Sequence, residues 1–131
     1  MSTDAGKLVL RLTLGLMMLF HGWDKVVRGV DGIAGLLQNY GFPGFLAYLV
    51  FVGEILAPLF LIAGAYTRVA ALLIAANMVV AILLVHSGDV FALSGTGGWA
   101  IEIQAFYLMT AVVVFLLGPG KLGFMPESRW N

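Results

Sequence analysis

Residues 45–65 read FLAYLVFVGEILAPLFLIAGA and are apolar apart from the phenol of Tyr48 and one carboxylate, Glu54. The stretch has about the 20 residues that an α-helix needs to cross the hydrocarbon core of a bilayer. Three other stretches have the same character, at residues 8–27, 69–85 and 99–117. We therefore predict an all-α protein, an integral membrane four-helix bundle that forms a single domain over residues 1–131.

The composition supports a membrane protein independently of the spans. Of 131 residues, 61% are apolar and 11% are charged, and the mean hydropathy is +1.00. A soluble domain of this size could not keep so much apolar surface away from water. The chain has no cysteine, which excludes disulfides, thiol chemistry and thiolate metal sites. Because the formal net charge is zero and no basic cluster occurs, we expect no nucleic acid partner.

The basic residues predict how the chain is oriented in the membrane. Four spans place both termini on one side, together with the connection between the second and third spans. The opposite side carries only Lys25 and Arg28. The side of the termini carries five basic residues: Lys7, Arg11, Arg68, Lys121 and Arg129. By the positive-inside rule, both termini are expected in the cytoplasm.

The connection between the first and second spans predicts a fifth, short helix. Apolar side chains recur there at helical spacing: Val30, Ile33, Leu36, Leu37 and Tyr40. We expect this helix to lie in the outer interface of the membrane. The next connection, residues 64–68, is long enough only for a tight hairpin, so the second and third spans should be antiparallel neighbours.

The first span carries a stripe of residues at spacings of four and three: Arg11, Gly15, Met18, Gly22 and Lys25. This spacing keeps them on one helix face, with His21 beside it. Small residues on such a face let another helix approach closely, so the stripe is expected to face the bundle interior. The alternative is that Arg11 and Lys25 extend to the headgroups at opposite ends of the helix.

Glu54 is the most informative single residue. It lies about ten residues into its span, ~15 Å deep at ~1.5 Å per residue, and so close to the bilayer centre. An ionised carboxylate there must be protonated or paired. Pro58 has no N–H to give to the Glu54 carbonyl, which predicts a helix kink beside the ionisable group. The combination is typical of a binding or proton-handling site, and the alternative is a structural salt bridge to a cation of the first span.

Other polar residues within the spans lead to weaker predictions. Glu102 should lie close to the outer surface of the membrane. An ion pair of Glu102 with Lys25 or His21 there would explain why all three ionisable residues occur within spans. Asn77 is expected to hydrogen-bond a neighbouring helix. His21 and His86 could in principle bind haem iron, but two histidines without further pattern are a weak signal. We therefore expect neither haem, nor a metal site, nor any covalent cofactor.

Six short motifs, taken together and in order, resemble the DoxX family of small four-helix membrane proteins. They are LRLTLG at 10–15, FHGWDK at 20–25, GFP at 41–43, GE at 53–54, LIAGAYTR at 61–68 and GPG at 118–120. The resemblance implies a multi-pass protein of a bacterial or archaeal inner (plasma) membrane. The family is named after a subunit of an archaeal thiosulfate:quinone oxidoreductase, and other members are associated with membrane oxidoreductase complexes. Its pattern marks seven positions here: Arg11, His21, Gly22, Lys25, Glu54, Gly64 and Arg68.

Two classes of function follow, and whether the protein is an enzyme is left open. In the first, the chain is a small non-catalytic subunit of a larger membrane complex, of redox or respiratory type, surrounded by lipid. In the second, it is a quinone-binding subunit in which His21, Lys25 and Glu54 hydrogen-bond the ring and manage its protons. The candidate polar site comprises Arg11, His21, Lys25, Glu54 and Glu102. A transporter is the weakest alternative, because four short spans show no inverted repeat.

Overall fold

A computed structural model describes residues 2–126 and 131, and this part of the chain is helical with one isolated β-bridge. The helices are α1 (Ser2–Arg28), α2 (Asp31–Asn39), α3 (Ala57–Ala63), α4 (Thr67–Val85) and α5 (Glu102–Leu117), with a 3-10 helix at Gly44–Leu49, a π-helical turn at Val52–Leu56 and a short 3-10 turn at Ser87–Asp89. The predicted all-helical membrane bundle is confirmed. Arg129, which contributed to the predicted orientation, lies outside the described residues.

The second span is continuous and consists of a 3-10, a π-helical and an α-helical segment in succession. Its pieces run from Gly44 to Ala63, and this 20-residue segment is long and apolar enough to cross a membrane, as are α1 and α4. It ends at Ala63, two residues before its predicted end, because Gly64 adopts a left-handed conformation with φ 73°.

The fourth span is shorter than predicted. α5 begins at Glu102 rather than Trp99 and has 16 residues. Trp99 instead pairs with Leu93 in the isolated bridge, and its indole Nε1 donates a hydrogen bond of 2.6 Å to the Val90 carbonyl. These contacts order the connection after α4 and delay the start of the helix.

The spans pack in a ring in the order α1, second span, α4, α5. The second and third spans are therefore neighbours, as predicted. The interface between α4 and α5 is the most extensive, and the interface between α1 and α5 is the thinnest. The ring encloses an apolar core, whose largest members are Leu14, Met18, Leu61, Ile74 and Val114.

The predicted stripe of the first span faces this interior. Arg11, Gly15, Met18 and Gly22 are all buried in α1. Large apolar side chains instead cover the outside of the bundle, for example Phe20, Leu72 and Phe106. A surface of this kind suits hydrocarbon and not water.

The predicted short helix in the first connection is confirmed as α2. Val30 and Leu37 bury themselves against Ala47 of the second span, and Leu84 of α4 packs on the same cluster. α2 thus caps the end of the bundle at which α1 terminates, which we call the outer end in accordance with the predicted orientation. Its position in the membrane interface stays a prediction.

The chain after α5 folds across the opposite, inner end. The Phe124 N–H donates to the Ala63 carbonyl at 3.0 Å, and Arg11 Nη2 donates to the Leu122 carbonyl at 2.6 Å. The side chain of Asn131 is buried there and its Oδ1 accepts from the Thr67 N–H at the start of α4, at 2.8 Å. The inner end is therefore closed by backbone and amide contacts.

Candidate functional site

Glu54 lies in the irregular part of the second span. Pro58 cannot donate to the Glu54 carbonyl, so the regular α-helical ladder is interrupted at this point. The predicted irregularity takes the form of a π-helical turn, in which the Ala57 N–H donates to the Val52 carbonyl five residues earlier. Turns of this kind are often found at functional sites. Here the turn directs a carboxylate into the bundle, where Glu54 is only 3% exposed.

Both oxygens of the Glu54 carboxylate have a partner from another helix. Lys25 Nζ of α1 lies 2.6 Å from Oε1 and forms a salt bridge. Asn77 Nδ2 of α4 donates to Oε2 at 2.9 Å, so the predicted interhelical bond of Asn77 exists. The Lys25 side chain is 25% exposed whereas that of Glu54 is 4% exposed, so the lysine is the partner of this ion pair that reaches the surface of the bundle.

Two glycines allow these contacts by bringing the helix backbones together. A Cβ atom at Gly22 of α1 would overlap the backbone carbonyl of Glu54. A Cβ atom at Gly53 would stand 2.7 Å from the Cβ of Asn77. The small residues at these two positions thus set the distances at which Lys25 and Asn77 meet the carboxylate.

The fourth span contributes Tyr107, which the sequence analysis missed. This phenol is half-buried in α5. Its ring meets the His21 imidazole edge-on, with centroids 5.4 Å apart. In the sequence, Tyr107 could have been noticed only as a polar hydroxyl within an apolar span, five residues after Glu102. With Tyr107 included, each of the four spans places a polar side chain in or beside the site.

The predicted ion pair of Glu102 with Lys25 or His21 is wrong. Lys25 pairs with Glu54, while Glu102 is exposed in the first turn of α5 with its carboxylate over Gly98. Helix geometry explains the difference. Glu102 precedes Tyr107 by five residues. At 3.6 residues per turn this is one full turn plus about 140°, so the two side chains point to different faces of α5. Since Tyr107 faces the site, Glu102 cannot.

The other candidate residue that lies apart from the site is Arg11. It stands 14 residues before Lys25 on the same stripe of α1, about 21 Å away at 1.5 Å per residue. Arg11 is 1% exposed and packs against Gly64 and Gly123 beside its bond to Leu122. It therefore belongs to the inner end of the bundle.

The level of Glu54 can be measured along α1. Its backbone lies against Gly22, six residues before the end of α1 at Arg28, or about 9 Å at 1.5 Å per residue. The site is thus nearer the outer end of α1, while Glu54 itself lies midway along the second span, Gly44–Ala63. The apolar core that includes Leu14 and Ile74 separates the site from the inner end.

The two histidines have different partners. His21 contacts Tyr107, whereas His86 Nδ1 lies 3.4 Å from Asp89 Oδ2 and His86 Nε2 lies 3.2 Å from Gln104 Nε2. Within residues 2–126 and 131, no group of three or more His, Asp or Glu side chains is arranged to hold a metal ion. The polar arrangement around Glu54 is therefore the best candidate for a functional site.

The sequence pattern of the DoxX family matches residues 6–87, which include His21, Lys25, Glu54 and Asn77. This chain belongs to the DoxX family. A Bacillus subtilis (strain 168) relative named "Putative oxidoreductase CatD" is 30% identical over 125 residues, covering 95% of this DoxX chain and 88% of that protein. "Inner membrane protein YqjF" of Escherichia coli (strain K12) is 32% identical over 84 residues, covering 64% of each chain. No solved structure matches this DoxX chain.

Proposed function

We propose that this DoxX-family protein is an inner-membrane component of an oxidoreductase system, and that its Glu54 site binds the polar ring of a membrane quinone. The observation that carries the proposal is the buried carboxylate with a cation and an amide on its two oxygens, at 2.6 and 2.9 Å. The printed names of the relatives, an oxidoreductase and an inner membrane protein, support the same class.

The chemistry of the site suits a ring that gains and loses protons with its electrons. The Lys25 ammonium and the Asn77 amide are donors that can turn from Glu54 to a ring carbonyl. Glu54 would then deliver or accept the proton at that oxygen, since its side chain is held at the same place. Reduction of a quinone to a quinol takes two electrons and two protons. In this proposal the electrons are exchanged with a partner protein.

The test is the substitution Glu54→Gln, which keeps the size of the side chain and removes its proton chemistry. Quinone-linked activity in membranes should be lost, while the amount of inserted protein stays unchanged. Glu102→Gln is the matched control, because that carboxylate is exposed and outside the site. Binding of a short-chain quinone analogue, followed by quenching of the intrinsic tryptophan fluorescence, checks the site directly. An unchanged rate in Glu54→Gln would reject this role.

A second candidate is the non-catalytic accessory subunit of a larger membrane complex. It is favoured by one observation: Lys25 and Asn77 already satisfy both oxygens of Glu54, as a structural ion pair would. In that case deleting the gene should lower the amount of a larger complex. Native mass spectrometry of the gently extracted protein separates the two candidates. A stoichiometric partner complex that carries no quinone supports the accessory role, and bound quinone supports the first.

A further inference from the structure

Access to Glu54 differs among the four sides of the ring. Between α1 and the second span, Gly22 lies against the Glu54 backbone and the Ile55 side chain covers the contact. Between the second span and α4, Gly53 packs on Asn77 with similar closeness. On these two sides the helices pack backbone against backbone or side chain at the level of Glu54. The third side, between α4 and α5, is the most extensive interface of the ring.

The side between α1 and α5 is the exception, and we call it the α1–α5 seam, defined by His21, Lys25 and Tyr107. It is the thinnest interface of the ring. α2 packs on the second span and on the end of α4, which is the opposite side of the ring, so it does not cover the seam. At the inner end of the seam, buried Leu14 and Ala111 close the interface.

The seam leads from the bundle surface to the carboxylate. His21 is exposed, Tyr107 is half-buried and in edge contact with it, and Lys25 is 25% exposed and bonded to Glu54. Edge-on aromatic pairs are worth only about 0.5–1.5 kcal/mol beyond the area they bury, so the His21–Tyr107 contact can open at modest cost.

We propose that the α1–α5 seam is the membrane-side entrance to Glu54 and that His21 and Tyr107 form its gate. The ligand that suits this entrance is a planar ring bearing a hydrogen-bonding oxygen. The His21 and Tyr107 rings are in contact with each other, and Lys25 follows His21 by one turn of α1. The nature of the ligand rests on the proposed function, whereas the route to the carboxylate does not.

A membrane-soluble carbodiimide, such as dicyclohexylcarbodiimide, tests the route without any quinone. The Glu54 carboxylate adds across a C=N bond of the reagent while the Lys25 ammonium gives one proton to the reagent nitrogen, which yields an O-acylisourea and a neutral lysine amine. The amine of Lys25, whose nitrogen lies 2.6 Å from the carboxylate, then attacks the acyl carbon and expels the dialkylurea. The product is an amide between the two side chains. Mass spectrometry of the full chain in proteoliposomes detects it as the loss of water from the linked peptides.

Variants of the gate should change the rate of this cross-link. We expect His21→Ala and Tyr107→Ala each to accelerate it several-fold. His21→Ala is the safer variant for folding, because His21 is exposed. Ile55→Ala is the matched control, since it removes a comparable partly buried side chain on the other side of α1. If Ile55→Ala accelerates the reaction as much as the gate variants do, the seam is not the entrance.

Two further arms complete the experiment. A charged, water-soluble carbodiimide added from outside should react much more slowly with Glu54 than the membrane-soluble reagent does. Equal rates for the two reagents would mean that Glu54 is reached from water and not from the membrane. A quinone analogue should protect Glu54 from the membrane-soluble reagent. If it fails to protect while the gate variants still accelerate the reaction, the proposed function is wrong and the entrance stands.

Discussion

Lys25 and Arg11 occupy the same buried stripe of α1 but meet different partners. Lys25 pairs with the Glu54 carboxylate, whereas Arg11 donates to the backbone carbonyl of Leu122. Within the described residues, Nε and Nη1 of Arg11 have no hydrogen-bond partner. A carboxylate can change its charge and a carbonyl cannot, so the outer region can take part in proton chemistry while the inner one acts as a structural tie.

The energetic consequences of the two arrangements also differ. A buried ion pair gains little net stability, because desolvation offsets most of the attraction, but removing one partner leaves a charge buried alone. A cation bonded to a carbonyl leaves only a neutral acceptor behind when it is removed. Charge removal should therefore be more damaging at Lys25 than at Arg11, although Arg11 is the more deeply buried of the two.

The largest effect is expected from Lys25→Met, which deletes the cation and keeps an apolar side chain of similar length. Because this leaves the buried Glu54 carboxyl group without its cation, the free energy of unfolding should fall by about 3–5 kcal/mol. Reversible unfolding by sodium dodecyl sulfate in mixed micelles measures the change.

The double variant Lys25→Met/Glu54→Gln is the control for this prediction. It removes both charges, so it should recover most of the stability that the single variant loses. If the double variant is as unstable as Lys25→Met, packing of the lysine stem and not its charge accounts for the loss. The contrast between the two regions would then fail.

A smaller effect is expected from Arg11→Met at the inner end. The Leu122 carbonyl would lose its 2.6 Å donor, at a cost of about 1–3 kcal/mol. Hydrogen exchange of the backbone after α5 should become faster, particularly at the Phe124 N–H, which is bonded to Ala63. The carbodiimide reaction at Glu54 should keep its rate. Slower or faster reaction there would mean that the two regions are coupled and not independent.

The sequence predicted those features of the fold that depend on periodicity. The stripe from Arg11 to Lys25 faces the core because its spacing follows the helix turn. Pro58 predicts the irregular part of the second span because proline has no backbone N–H to donate. The partner of Lys25 could not be chosen in the same way. Glu54 and Glu102 were both candidates, and the choice depends on the register between helices and on where α5 begins.

The missed contacts share a physical cause. Leu122 receives Arg11 through its backbone carbonyl, in a segment after Gly118 that has no repeating pattern from which contacts could be inferred. Tyr107 reaches the site because α5 begins at Glu102, a boundary set by the contacts of Trp99 in the preceding connection. Side-chain partners that depend on irregular backbone are not encoded in local periodicity.

The smallest effect is expected from Asn77→Ala, within the charged site itself. Interhelical hydrogen bonds in membrane bundles average about 0.6 kcal/mol and reach about 1.7 kcal/mol. A value in this range is expected because Oε1 of Glu54 keeps its salt bridge to Lys25 when Oε2 loses the amide. Asn77→Asp places a second carboxylate against the first and should cost clearly more than Asn77→Ala in the same unfolding experiment. Equal losses for the two variants would mean that at least one of the two carboxyl groups is protonated in the Asn77→Asp variant, and the expected charge repulsion would have to be abandoned.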